Sequence, residues 1–270
     1  MKRKAIVLGF LSFTAFLLAD YVSAEEWVKF EGQTVMGEKL QLAGILNVPK
    51  GDGPFPAVVM LCGCGGLQDK NDAKHQKAWA ERLMSWGYVS LSVDSFGPRG
   101  YGDICENINA VNPIQRSGDA FSAKSYLAKL KYVDAKHIAV IGWTHGGWAV
   151  MAIVDCIYRD ENTAPFQAAI AFSPWCQSFD CFDTPLLILI GEIDDWCPAS
   201  RCITTKDEVI SAESEVEMKL VIYPNTHFAF YYEGLKEEKY GRHAEYNPEA
   251  AADAIAQTKE FLAKYLKTKE

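Results

Sequence analysis

Beyond its first four residues this chain has no run of basic side chains, and acidic residues outnumber basic ones by 35 to 27. Nucleic acid and anionic membrane surfaces both call for a concentrated positive field, so this absence argues against either as a partner. Only one long apolar run is present, at the start, so no internal membrane span is expected. No Cys follows that run, which argues against a lipid anchor. There is no CxxC pair and no His-x3-His spacing, so no metal site is expected. The glycine-rich stretch Cys62-Gly63-Cys64-Gly65-Gly66 lacks the Lys-Ser/Thr of a phosphate cradle. No repeat, low-complexity tract or linker breaks the chain.

What is there begins with a leader. "MKRK", then "AIVLGFLSFTAFLLA", then the small residues of "VSA" read as a signal peptide over residues 1–24, cleaved after Ala24. Residues 25–270 then form a single domain, exported to the periplasm or secreted and free of the membrane. The leader removes Lys2, Arg3, Lys4 and Asp20, leaving the rest two units more acidic than the full-length net charge of −8. Eight cysteines lie beyond it, and in an exported chain an even number favours disulfides.

Short apolar runs alternate with amphipathic stretches. "FPAVVML", "YVSLSVD", "HIAVIG", "QAAIAFS", "PLLILIG" and "MKLVIYP" read as strands, most of them buried on both faces. "HQKAWAERLMSWG", "IQRSGDAFSAKSYLAKL", "GGWAVMAIVDCIY", a segment from about Pro198 and "NPEAAADAIAQTKEFLAKYL" read as helices. This is an α/β pattern: a mostly parallel central sheet with helices on both faces, and function at the carboxyl ends of the strands.

At one such end stands "IGWTHGGW". Gly142-x-Thr144-x-Gly146, between a strand and a helix, has the frame of a nucleophile elbow with threonine at its centre. An acid and a histidine follow in the required order. Asp194 stands three residues past Gly191, and His227 follows "KLVIYP". An imidazole is the natural base near neutral pH, and a carboxylate on its other nitrogen fixes its tautomer. Asp195 is the competing acid, read instead as a cap for the helix near Pro198. Oxyanion donors are expected from the backbone N–H groups of His145 and Cys64. His75, His137 and His243 read as surface residues. Trp143 and Trp175 are candidates to line an apolar substrate pocket, with Phe96, Tyr101, Trp148, Trp196 and Phe228 in the same loops. Arg99 could grip a substrate carboxylate or staple its own loop, while Arg116 and Asp119 read as a local helix pair.

Together "LCGCGGL", "VDSFGPRGYG", "IGWTHGGW", "GEIDDWCP" and "YPNTHFAF" resemble the dienelactone hydrolase family of α/β-hydrolases over nearly all of residues 25–270. The resemblance implies an α/β-hydrolase fold and hydrolysis of a small-molecule ester or lactone through a covalent acyl-enzyme, without a cofactor; a monomer is expected. It places the nucleophile at Thr144, the acid at Asp194 and the base at His227. It also suggests a Cys176–Cys202 disulfide, with Cys64–Cys105 as a second pair. Two departures stand out: Cys62 replaces the usual His before the loop glycines, and Thr144 replaces Ser or Cys. A β-branched side chain suits an elbow badly, so the expectation is either an attenuated hydrolase or a catalytically silent binding protein of the same shape.

Overall fold

The computed structural model describes residues 25–33, 37–239 and 241–266; the proposed signal peptide lies outside them. Among these described residues, ten strands and five α-helices follow one another. The first three strands are β1 (Glu25–Gln33), β2 (Lys39–Asn47) and β3 (Phe55–Leu61), followed by helix α1 (Lys70–Ser85). Strand β4 (Val89–Asp94), helix α2 (Pro113–Leu127), strand β5 (Val133–Trp143) and helix α3 (His145–Val154) come next. Then come β6 (Ala169–Phe172), β7 (Leu186–Gly191), α4 (Ala199–Ser211) and β8 (Met218–Tyr223). A polar hairpin of β9 (Lys236–Lys239) and β10 (Arg242–Glu245) precedes the final helix α5 (Pro248–Leu266).

Eight strands form one sheet in the order β1-β2-β4-β3-β5-β6-β7-β8. β1, β2 and β4 pair antiparallel at one edge, and every pair from β4 onward is parallel. The side-chain period of two splits each central strand between two cores. Ala57, Val59, Leu61, Ile138 and Val140 face α2 and α3, among Ala120, Leu127, Val150 and Val154. Val58, Met60, Ala139, Ile141 and Trp143 face α1 and α5, among Trp79, Leu83, Phe261 and Leu262. Burial on both faces is why these strands read as continuous apolar runs rather than alternating ones.

Cap chemistry sets two of the helix starts. Asp69 accepts the N–H groups of Asn71 and Asp72 at the head of α1, and Asn112 with Gln115 forms a reciprocal capping box on α2. Helix α3 stops sooner than its apolar pattern suggests, because Asp155 turns extended and bridges to Phe182. Cys156–Cys181 covalently ties the same two segments.

Both anticipated disulfides are present, Cys64–Cys105 and Cys176–Cys202, together with the third, Cys156–Cys181. Cys62 and Cys197 remain thiols. Three disulfides fit an oxidising compartment. Among the described residues, no helix is long and apolar enough to cross a membrane.

Candidate active site

Strand β5 runs into α3 through Thr144, whose backbone sits at φ 51°, ψ −111°. Its N–H donates to Phe172 O at 2.9 Å and its carbonyl accepts from Trp148 N–H at 2.9 Å. This is the mirrored region where glycine is at home, and a non-glycine residue held there typically stores about 1–3 kcal/mol. The sharpness of the turn depends on its flanking glycines. A Cβ at Gly146 would collide with Leu61 O, and one at Gly142 with Gly146 O.

The loop after β3 faces Thr144. A Cβ added at Gly63 would stand 2.7 Å from Thr144 Oγ1 and 3.1 Å from Asp72 Oδ1. Hydroxyl, loop backbone and a buried carboxylate therefore meet at one point. Asp72 belongs to α1 and accepts the Tyr232 O–H. Burial pushes its carboxyl up to about 6, against the lowering pull of the Tyr232 hydroxyl. Cys64 is tied to the neighbouring loop by its disulfide and by a 2.9 Å bond from Ile104 N–H to its carbonyl.

His145 opens α3, where the first N–H groups of a helix have no intrahelical acceptor. Its ring bridges Arg116 Nη1, 2.9 Å from Nδ1, and Ile108 O, 2.8 Å from Nε2. A guanidinium can only donate, so Nδ1 accepts and the proton resides on Nε2. Burial first, then the Arg116 charge, lower the imidazole to about 3, so it stays neutral. Arg116 is fully buried and also donates to Cys62 O at 2.8 Å. One side chain thus grips the elbow residue and the glycine-rich loop together. The Cys62 thiol beside it is pushed up to about 12 by burial, which leaves it without thiolate character.

Asp194 and His227 follow β7 and β8, and their loops are laced together. Ile193 N–H donates to Thr226 O at 3.1 Å, and Asn225 N–H to Glu192 Oε2 at 2.9 Å. Asp194 is 4 % exposed, and its Oδ1 accepts the N–H groups of Trp196 and Cys197. Its carboxyl is raised to about 7, chiefly by burial. Asp194 Oδ2 and His227 Nδ1, the two atoms a carboxylate–imidazole pair would join, are both buried, with the Ser173 hydroxyl beside the Asp194 carboxyl. The fold places Thr144, Asp194 and His227 at the carboxyl ends of β5, β7 and β8, and no hydrogen bond joins the three side chains. Ser173, at the end of the intervening β6, has φ 42° but is fully buried.

Several expectations need correction. Asp195 does not cap α4, whose N-cap is Pro198; its Oδ2 accepts the His243 N–H at 3.1 Å. Arg99 is not free to grip a substrate. It forms a bidentate pair with Asp119 at 2.8 Å on both arms and donates to Ser95 O. Arg116 therefore does not pair with Asp119. Trp143 is fully buried, stacked on Phe172 and packed against Trp79, because the strand alternation turns it toward α1 and α5. Trp175 remains 36 % exposed, with the Arg201 guanidinium 4.3 Å above its ring. His75 is buried among Trp79, Trp143, Tyr231 and Tyr232, and burial lowers it to about 3. His243 lies on β10 with its ring centroid 4.1 Å from that of His227. A cleft of about 350 Å³ lies between α1, α5 and residues 231–235; its lining does not include Thr144, Asp194 or His227.

Comparison with known proteins places this geometry in context. The sequence profile described as "Dienelactone hydrolase family" matches residues 42–266. A protein of Synechocystis sp., named "Putative carboxymethylenebutenolidase", is 23 % identical over 246 residues, covering 87 % of this chain and 96 % of its own. Acylamino-acid-releasing enzyme 1 of Oryza sativa subsp. japonica is 26 % identical over 162 residues, covering 60 % of this chain. The match spans only 19 % of that longer protein. Among solved structures, a dienelactone hydrolase-like promiscuous phosphotriesterase from metagenomic libraries superposes with a TM-score of 0.66. It is 18 % identical and covers 90 % of this chain and all of its own, a likeness that shows the α/β-hydrolase fold.

Proposed function

The chain belongs to the dienelactone hydrolase family, and from that premise we propose that it hydrolyses a small carboxylic ester or lactone through a covalent acyl-enzyme on Thr144. The observation that carries this reading is the backbone of Thr144. A β-branched residue held at φ 51° between β5 and α3 is costly, and such strain persists where the surroundings over-determine it.

In this reading His227 takes the Thr144 hydroxyl proton as Oγ1 attacks the carbonyl carbon. The negative charge develops on the carbonyl oxygen, opposite the N–H groups of Cys64 and His145. His227 returns the proton to the leaving alkoxide, and a water activated by the same ring then releases the acid. Asp194 Oδ2 is the acceptor for His227 Nδ1–H, a pairing that would satisfy the buried His227 Nδ1. The extra methyl of threonine narrows the rotamers from which Oγ1 can attack, so turnover is attenuated relative to serine. Residues 25–270 act as one exported, monomeric domain after loss of the leader, with no membrane contact. Trp175 contributes to the substrate side.

The test is hydrolysis of an activated ester by the wild-type protein, Thr144→Ala and His227→Ala. Turnover well above both variants is expected. Equal rates in all three would overturn the reading and favour a silent binding protein.

A further inference from the structure

Two histidines and a glutamate converge beside the candidate site from separate parts of the chain. His227 follows β8, while His243 and Glu245 share one face of β10, two residues apart. One ligand atom from each of His227, His243 and Glu245 lies within 4.8 Å of the others, and all three side chains are half-buried. We propose that these three residues form a binding site for a divalent transition metal of the zinc class, and that the metal acts as a reversible inhibitor by occupying His227.

Two imidazoles and one carboxylate make a donor set that zinc takes readily, with a fourth position left to water. Tetrahedral coordination at bond lengths of about 2.0–2.2 Å needs ligand atoms roughly 3.4 Å apart. The widest pair of ligand atoms must therefore close from up to 4.8 Å, while His243 Nε2 and Glu245 Oε2, 2.7 Å apart, must open slightly, both within reach of partly exposed groups on a loop and a two-stranded hairpin. Pairing of β9 with β10 fixes His243 and Glu245 on the same side of the hairpin, and the His243 backbone N–H is held by Asp195. The His243 ring already has the surroundings of a ligand. Its Nε2 meets Glu245 Oε2 at 2.7 Å, and Glu238 Oε1 lies 3.8 Å from Nδ1. Metal-ligating histidines commonly present their second nitrogen to such a carboxylate. The proton shared by His243 and Glu245 leaves to solvent when the metal enters. Among the described residues, Lys236 on Glu245 Oε1, at 2.6 Å, is the one cation in direct contact with the triad of ligands; being exposed, it can swing away.

The inhibitory consequence rests on His227 being the base of the proposed hydrolysis; the binding itself does not. Zinc titration of the untagged, disulfide-intact protein, in competition with a chromophoric chelator, tests the binding. One equivalent is expected, with affinity falling at least tenfold in His243→Ala, in Glu245→Gln and in His227→Ala. The three variants should keep the wild-type circular dichroism spectrum. No competition by the wild-type protein, or equal affinity in all four proteins, overturns the site. Ester hydrolysis then tests the consequence: zinc should abolish wild-type turnover and EDTA restore it, while His243→Ala resists the same zinc concentration. Stoichiometric binding without loss of turnover overturns the inhibition. A protein inert toward esters, with or without zinc, sinks the hydrolytic reading and leaves the titration to decide the site.

Discussion

Arg116 Nη1 donates to His145 Nδ1 at 2.9 Å, while Nη2 of the same guanidinium donates to Cys62 O at 2.8 Å. His145 and the Cys62 loop come from α3 and from the end of β3, and in the proposed mechanism each supplies one oxyanion donor. A fully buried cation spanning both fixes their separation. Because it carries charge in a dry environment, it also adds a favourable field behind the developing oxyanion. Hydrogen bonds to charged groups contribute about 1.5–3 kcal/mol, so Arg116→Gln should lower kcat about ten- to hundredfold. KM should change little, since the loss is felt in the transition state. Arg116→Lys keeps the charge but cannot span both acceptors, and should recover only part of the rate. A purely structural role would instead lower the melting temperature and leave kcat per folded molecule unchanged.

The two neighbouring aspartates separate cleanly. Asp194 Oδ2 is buried and takes no backbone donor, both of those being on Oδ1, whereas Asp195 Oδ2 is already engaged by the His243 N–H. Asp194→Asn should lower kcat by two orders of magnitude or more, because the imidazole loses the anion that orients it and stabilises its charged form. Asp195→Asn should stay within a few-fold of wild type. Steady-state rates on one activated ester decide, and the opposite ranking would move the acid to Asp195.

Asp72 gives a pH dependence with a definite sign. Its folded pKa is raised to about 6, by burial above all, from roughly 3.9 in the unfolded chain. Between those values the native state holds a proton that the unfolded state has lost, so this group's contribution falls as pH rises from about 4 to about 6. Asn keeps an acceptor for the Tyr232 hydroxyl and has no charge to desolvate. The melting temperature of Asp72→Asn minus that of wild type should therefore grow from pH 4 to pH 7 and level off below pH 4. His75 and His145, both lowered to about 3, impose the opposite slope on both proteins and cancel in the difference. A difference that is flat with pH would mean that the carboxyl titrates normally.

The sequence exposed those parts of the site that are contiguous. The elbow reads directly because a sharp strand-to-helix turn needs glycines at fixed offsets, and the buried strands read from their apolar runs. The Arg116–His145 bond joins residues 29 apart, and local spacing pointed Arg116 to Asp119 instead. Asp72 carried no signal, since its role follows from where α1 packs against the Gly63 loop. The β9–β10 hairpin, "KEEK" and "RHAE", has no apolar alternation to reveal a strand, so His243 read as a surface residue. Trp143 shows the converse failure. Its place in the elbow loop suggested a pocket, but the period of two on β5 sends it into the core with Ile141.

Thr144 itself offers the sharpest test, because stability and activity should move in opposite directions. Its φ 51°, ψ −111° lies near the first central position of a type II′ turn, which glycine occupies without strain. Thr144→Gly should therefore stabilise the fold by about 1–3 kcal/mol while abolishing hydrolysis, as strain at a working site would require. Thr144→Ser keeps the hydroxyl and removes the methyl that restricts χ1. Each 1.36 kcal/mol released from the barrier is worth about a factor of ten, so serine should raise kcat about ten- to hundredfold. Denaturant unfolding and ester hydrolysis measured on the same preparations read both quantities. A glycine variant no more stable than threonine would mean that the backbone is not strained. A serine variant as slow as alanine would mean that the hydroxyl at this position does not attack.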